Sequence, residues 1–295
     1  MKFHKMHGIS NDYIYFNCLE NDIEDKAILT KYVSERHKGI GSDGAIFICK
    51  SDKADAEMVM YNWDGSYSEM CGNGIRCVAK YLFDFGIVEK TSMVIESGGA
   101  LKYINIHAVK EVPNKITGKT YSKRADGMVA VLISVDMGKP MLKPDQVPIN
   151  IPGFTGDSVV EYPLLVDTDI YNVTCVSVGN PHAITFVKDV KNFPVEEVGR
   201  KIESHEWFPK KTNVEFVRVI NRNEVEMRVC ERGAGETFAC GTGATATAVA
   251  CALNGLTDNT VKVHLLGGDL SIKWDRESDH VYMTGPAEFV CEGDI

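Results

Sequence analysis

Two cysteines, Cys71 and Cys240, open the same tetrapeptide pattern: Cys71-Gly72-Asn73-Gly74 and Cys240-Gly241-Thr242-Gly243. Each pattern precedes a stretch that reads as helix. A thiol at a helix start faces the unpaired N–H groups of the first turn and the positive end of the helix dipole. Both favour thiolate over thiol, so each thiol is expected to titrate below its ordinary range. The glycines remove side chains, which lets a ligand approach the backbone. A carboxylate suits such a site. Two thiols of this kind suggest one reaction. A thiolate removes the α-proton from one face of an amino acid, and a thiol on the other face returns one. Configuration inverts without a cofactor. The α-carboxylate would rest on the helix N-termini, where the developing enolate charge meets fixed N–H donors. The competing reading is a redox dithiol or a structural disulfide, but the Cys-x-x-Cys spacing of redox pairs is absent.

The other cysteines point elsewhere. The chain has nine in 295 residues, and no pair has the close spacing of a zinc site. Cys18, Cys49, Cys77, Cys175, Cys251 and Cys291 read as small buried apolar residues. Cys230 is treated below.

The elements that must hold the two thiols can be read from pattern. After Gly74, the residues Ile75, Val78, Ala79, Leu82 and Phe83 recur at amphipathic helical spacing, and Gly86 is a stop. The stretch Ala244 to Leu253 is apolar all round and reads as a buried helix. Glu24–Arg36 and Val195–His205 are weaker helix candidates. Strands are expected at Ala45–Cys49, Glu57–Tyr61, Ser92–Glu96, Met128–Val135, Asn172–Val178 and Ile184–Val187. More are expected at Val214–Ile220, Glu224–Val229, Thr260–Leu265, Leu270–Trp274 and His280–Thr284. Many strands and few helices indicate an α+β fold. Lys110–Gly127 is polar and basic and reads as a long hairpin excursion or a mobile loop. The Pro-containing stretch Lys139–Gly156 reads as a domain junction. The repeated Cys-Gly-x-Gly turn suggests two similar halves.

Composition bounds the function. The length suggests about two domains. The net charge of −9 argues against a nucleic-acid surface. No apolar run approaches the length of a membrane span, and the N-terminal residues lack a secretory apolar core. A cytoplasmic protein without membrane or nucleic-acid partners is expected.

Ordered motifs along nearly the whole chain resemble the diaminopimelate epimerase family. They include Lys5-Met6-His7-Gly8, Asn11-Asp12, Arg36-His37, Gly39-Ile40-Gly41, Asp43, Asn62, Asp64-Gly65-Ser66, Cys71 to Gly74 and Arg76. The second half adds Gly179-Asn180-Pro181-His182, Thr212-Asn213-Val214, Glu231-Arg232-Gly233, Gly235-Glu236-Thr237, Ala239 to Gly243 and Tyr282-Met283-Thr284-Gly285.

The resemblance implies two similar domains, 1–140 with 284–295 returning to it, and 141–283. Each would be a curved, mostly antiparallel sheet around a central helix, with the substrate in a cleft between them. It implies epimerisation of L,L-2,6-diaminopimelate to the meso form without pyridoxal phosphate or metal, and a homodimer. Cys71 and Cys240 would be the acid/base thiols, with His182 and Glu231 beside them to tune or relay protons. Asn11, Asn62, Asn180 and Asn213 would bind substrate, together with Gly72, Asn73, Gly241 and Thr242 at the helix starts. Glu231 and Arg232 would meet its distal charged end, the guanidinium fork suiting a carboxylate.

Three positions depart from the family pattern. Ser10 stands where Gly is frequent. Gly44 follows Asp43 where many members have Gln, which removes one substrate contact or leaves it to the backbone. Cys230 precedes Glu231 where Trp is usual, and it reads as packing. Two alternatives remain: a proline racemase-like enzyme on the same fold, and a non-enzymatic ligand-binding or redox-sensing module. Asn73 stands where proline racemases typically carry His. Phenazine-pathway isomerases on this fold lack the two thiols.

Overall fold

A computed structural model describes residues 1–111 and 120–295 of the chain. The chain divides into two compact units, Met1–Val135 with Thr284–Ile295, and Asp136–Met283. The Lys139–Gly156 stretch therefore belongs to the second unit, and the division falls just ahead of it.

The first unit contains β1 (Lys2–Gly8), β2 (Asn11–Cys18), α1 (Lys26–Ser34), β3 (Gly44–Cys49), β4 (Ala56–Asn62), β5 (Tyr67–Ser68) and α2 (Gly72–Asp84). β6 (Ser92–Ser97), β7 (Ala100–Lys110) and β8 (Met128–Asp136) follow. β1 and β2 form an antiparallel hairpin, and β2 then pairs β3 in parallel. β3 and β4 are antiparallel, β4 pairs β6 in parallel, and β6 and β7 are antiparallel.

The second unit contains β9 (Tyr162–Val166), β10 (Asp169–Ser177), β11 (Pro181–Phe186), α3 (Val195–Glu203), β12 (Asn213–Asn221), β13 (Glu224–Glu231), β14 (Gly235–Thr237) and α4 (Gly241–Leu253). β15 (Thr260–Leu265), β16 (Gly268–Trp274) and β17 (Val281–Gly285) follow, and β18 (Glu288–Asp294) pairs with β1 in the first unit. From β10 onward the pairings repeat those of the first unit. β10–β11 is antiparallel, β11–β12 parallel, β12–β13 antiparallel, β13–β15 parallel and β15–β16 antiparallel.

The helices sit where this pairing needs them. Parallel neighbours cannot be joined by a tight turn and require a crossover. α1 and α3 bridge the first parallel pair of each unit, and α2 and α4 bridge the second.

α2 departs from the amphipathic reading. Every residue from Gly72 to Asp84 is buried, the polar ones included. Arg76 Nη1 donates to the Gly72 carbonyl and to Asn73 Oδ1, and its Nε donates to the Pro286 carbonyl. Lys80 pairs with Asp84 at 2.7 Å and donates to the Ala130 carbonyl, while Asp84 accepts the Ala130 N–H. The polar stripe that suggested a solvent face is satisfied internally. α4 is buried from Gly243 through Cys251 and carries no charged residue; its buried hydroxyls are bonded, Thr245 Oγ1 to the Gly241 carbonyl and Thr247 Oγ1 to the Met227 sulfur.

β7 and β8 pair antiparallel with Lys110 opposite Met128, so the 110–127 stretch connects a hairpin. Its centre lies outside the described residues. On its returning flank, the Glu111 carboxylate accepts the N–H groups of Tyr121 and Ser122.

Candidate active site

In the first unit Cys71 is the N-cap of α2. Its backbone is extended, and its sulfur accepts the Gly74 N–H at 3.3 Å. Gly74 must lack a side chain for a packing reason. A Cβ there would lie 2.6 Å from the Ile46 side chain. The Cys71 thiol donates to Asn11 Oδ1 at 3.4 Å, and the Asn73 amide donates to the same oxygen at 3.3 Å. The remaining end of Asn11 donates to Asp43 at 2.8 Å. Asn11, Cys71 and Asn73 thus form one hydrogen-bonded group. Asn62 lies outside it. It ends β4, opposite Gly44, and its amide donates to Ser66 Oγ at 3.0 Å.

Sequence reasoning missed Tyr13. Its buried hydroxyl bonds with both Asn11 and Cys71. Burial, then the neighbouring Cys71, pushes the Tyr13 phenol well above its usual range. The Gly44 departure is explained beside it. A Cβ at Gly44 would lie 2.2 Å from the Tyr61 carbonyl and 3.1 Å from the Tyr13 ring. No side chain fits at 44 on this backbone. The tyrosine in Asn11-Asp12-Tyr13 was the available signal.

In the second unit Cys240 is the N-cap of α4 in the same conformation. Its sulfur accepts the Gly243 N–H at 3.3 Å and lies 3.5 Å from Thr242 Oγ1. The Glu231 carboxylate accepts from Thr237 Oγ1 and is hydrogen-bonded to the Cys240 thiol. His182 is fully buried, with Nδ1 2.7 Å from Glu215 Oε1 and Nε2 3.0 Å from Asn180 Oδ1. The Asn180 amide donates to Thr242 Oγ1 at 3.3 Å. His182 and Glu231 therefore both belong to the Cys240 half.

Asn213 and Arg232 are held differently. The Asn213 amide donates to the Pro181 carbonyl at 3.0 Å and accepts the Arg232 N–H at 2.9 Å, so both of its ends tie backbone strands together. Arg232 is exposed and donates from Nη1 to the Lys210 carbonyl.

The electrostatics correct one expectation. Cys240 is held well above the ordinary thiol range, not below it. Burial is the main cause, and the carboxylates of Glu231 and Glu215 add to it. The Gly243 N–H and the Thr242 hydroxyl act the other way and are outweighed. Burial also raises the Glu231 carboxyl.

The remaining cysteines divide. Cys77, Cys175 and Cys251 are buried, but Cys291 is exposed and Cys49 only half-buried, because its strand ends at the surface. Cys18 and Cys49 are register partners on β2 and β3, and their thiols are in contact with each other. With Asp22 they form a group of possible ligand atoms within 4.8 Å of one another. Lys26 lies 2.6 Å from Asp22, and its ammonium charge opposes a cation there. Cys230 packs against α3, where a Cβ on Gly199 would lie 2.4 Å from its own. Burial pushes its thiol up to about 11.

A diaminopimelate epimerase family model matches residues 3–121 and 174–290. The chain belongs to the diaminopimelate epimerase family. It is 48% identical to the diaminopimelate epimerase of Agathobacter rectalis, covering 100% of this chain and 99% of that protein. It is 47% identical to the one from Methanococcus maripaludis, at 100% and 99% coverage. Among solved structures it is similar to a phenazine biosynthesis protein of the PhzF family from Bacillus anthracis, with TM-score 0.68, 15% identity and coverage of 100% and 98%. It is also similar to a hydroxyproline epimerase from Agrobacterium vitis, with TM-score 0.65, 12% identity and coverage of 100% and 90%. Those two structures share the fold. Two similar α+β units with a helix packed in each sheet are the architecture of this family.

Proposed function

We propose that the chain epimerises L,L-2,6-diaminopimelate to meso-diaminopimelate by a two-base mechanism that uses Cys71 and Cys240 and no cofactor. The product serves lysine and peptidoglycan precursor synthesis. One observation carries the reading. Both cysteines cap equivalent helices in topologically equivalent units, each with its sulfur on the N–H three residues ahead at 3.3 Å. Full-length identity to named diaminopimelate epimerases supports the substrate.

Racemisation by two bases requires one thiolate and one thiol at the start of each turnover. Burial and two carboxylates favour the neutral form of Cys240, which makes it the acid of the resting enzyme. Cys71 is then the base. It removes the α-proton, and Cys240 delivers its own to the opposite face. First-turn N–H groups, such as those α2 and α4 each present, suit the substrate α-carboxylate and the enediolate charge that develops on it. Asn11, Asn73 and Asn180 orient the substrate through their amides. Asn62, Asn213, Arg232 and the backbone at Gly72 and Gly241 complete its binding. Glu231 holds the Cys240 proton in line. The enzyme acts in the cytoplasm as a homodimer.

Conversion of L,L-diaminopimelate by the pure reduced protein, followed by chiral chromatography, tests the reading. Formation of the meso isomer supports it. Turnover of proline with no turnover of diaminopimelate would replace it with the racemase alternative.

A further inference from the structure

Glu215 has no part in the motifs that brought Cys240 to attention. It is the third residue of β12, fully buried, two residues beyond Asn213 and on the same face. β11 runs parallel beside it, with His182 opposite Asn213 and Ile184 opposite Glu215, so the carboxylate reaches His182 diagonally. α4 approaches from the third side. A Cβ on Gly243 would lie 2.6 Å from Glu215 Oε1 and 3.2 Å from Cys240 Sγ. The missing side chain at Gly243 therefore admits the carboxylate and the sulfur together.

A buried carboxylate costs stability unless it is well paired. Here Oε1 meets His182 at 2.7 Å, while Oε2 is buried with no hydrogen-bond partner among the described residues. A leucine would fill the position without that cost. Packing alone gives no reason for a glutamate.

The contacts continue from it without a break. Glu215 Oε1 lies 2.7 Å from His182 Nδ1, and His182 Nε2 lies 3.0 Å from Asn180 Oδ1. Asn180 Nδ2 lies 3.3 Å from Thr242 Oγ1, which lies 3.5 Å from Cys240 Sγ. We infer that Glu215 is a positioning residue for the Cys240 thiol, acting through the side chains of His182, Asn180 and Thr242. The inference rests on Cys240 being one of the two acid/base groups. Both ring nitrogens face acceptor oxygens, so the ring donates from Nδ1 to Glu215 and from Nε2 to Asn180 Oδ1 as an imidazolium, and the carboxylate is its counter-charge and fixes its orientation. Asn180 then has its other end directed at Thr242, and the Thr242 hydroxyl is held against the sulfur. His182 accordingly works as the second link of this chain, with both of its ring nitrogens engaged.

Glu215 can also reach Cys240 directly by its charge, and the two routes predict opposite signs. Loss of the charge alone would make Cys240 more reactive, because the carboxylate opposes its ionisation. Loss of the chain would make it less reactive, because the Thr242 hydroxyl favours its ionisation.

The test is a double-mutant cycle between Glu215→Leu and Thr242→Val, read by the rate at which iodoacetamide alkylates Cys240. Peptide mass spectrometry resolves Cys240 from Cys71, and no substrate is needed. The chain predicts that each single variant slows Cys240 several-fold and leaves Cys71 unchanged. It also predicts that the double variant is no slower than the slower single, because both cut one chain. Glu215→Gln, which can still accept from Nδ1 but has lost the opposing charge, should alkylate at least as fast as the wild type. If Glu215→Leu does not fold, as judged by its thermal melt, Glu215→Gln, Glu215→Ala and Thr242→Val complete the cycle. Faster or unchanged alkylation in Glu215→Leu or Glu215→Ala, a Glu215→Gln as slow as these, or additive losses would overturn the inference. Absence of epimerisation in the wild type would instead sink the proposed function and leave this result standing.

Discussion

The two Cys-Gly-x-Gly thiols have different surroundings despite matching caps. Cys71 is half-buried against Asn11 and Tyr13, whereas Cys240 is buried against Glu231. Replacing either with alanine removes an acid/base group, which contributes about 10²- to 10⁴-fold. Epimerisation should fall by at least that much in Cys71→Ala and in Cys240→Ala while the melting temperature holds. An alanine variant that kept more than a tenth of wild-type kcat would exclude its cysteine from the chemistry. The raised Cys240 thiol sets the pH dependence. The acid form is lost only when pH passes a pKa that lies well above the ordinary thiol value. The alkaline fall of kcat/KM should therefore come later than a free thiol at about 8.5 would give. A fall centred near pH 8 would contradict the burial argument. At this scale the sequence was legible where a motif repeats, as at Cys71 and Cys240. Glu215 was not legible, because its role depends on which strands become neighbours, and Tyr13 was signalled only by its place two residues after Asn11.

Among elements, α2 shows where periodicity misleads. The pattern Ile75, Val78, Ala79, Leu82, Phe83 located the helix, but the polar residues between them gave no sign that Arg76, Lys80 and Asp84 are buried too. Removing one member of the Lys80–Asp84 pair leaves the other uncompensated. Lys80→Met should cost about 3–5 kcal/mol in a denaturant titration. Lys80→Met with Asp84→Leu should restore a large part of it. A loss under 1 kcal/mol in Lys80→Met would mean that the pair is solvated. The short buried helix α4 makes a second test. Gly243→Ala places a methyl group 2.6 Å from Glu215 Oε1. It should depress kcat and shift the melt, and a variant with wild-type kcat would show that the carboxylate can move away freely. The strands found by pattern are the Val- and Ile-rich ones. β1, β2, β7 and β9 were missed, β1 and β7 because Lys, His and Asn interrupt them, and β18 was missed because its partner β1 is distant in sequence.

At the scale of the whole chain, the repeated turn foreshadowed a repeated topology. Each unit runs through the same succession of antiparallel and parallel pairings, with crossover helices at the same points. The repeat was visible only at its two cysteines, because sequence similarity elsewhere has been replaced by different packing, such as the polar interior of α2 against the Ala-rich α4. Twin units with one thiol each are what inversion at a single carbon asks for. Epimerisation of L,L-2,6-diaminopimelate in deuterium oxide, under reductant and at low conversion, examines this claim most directly. Two bases predict that the meso product carries one solvent deuterium at the inverted carbon while recovered substrate is still unlabelled. Label appearing in recovered substrate as fast as in product, or no exchange at all, would contradict it.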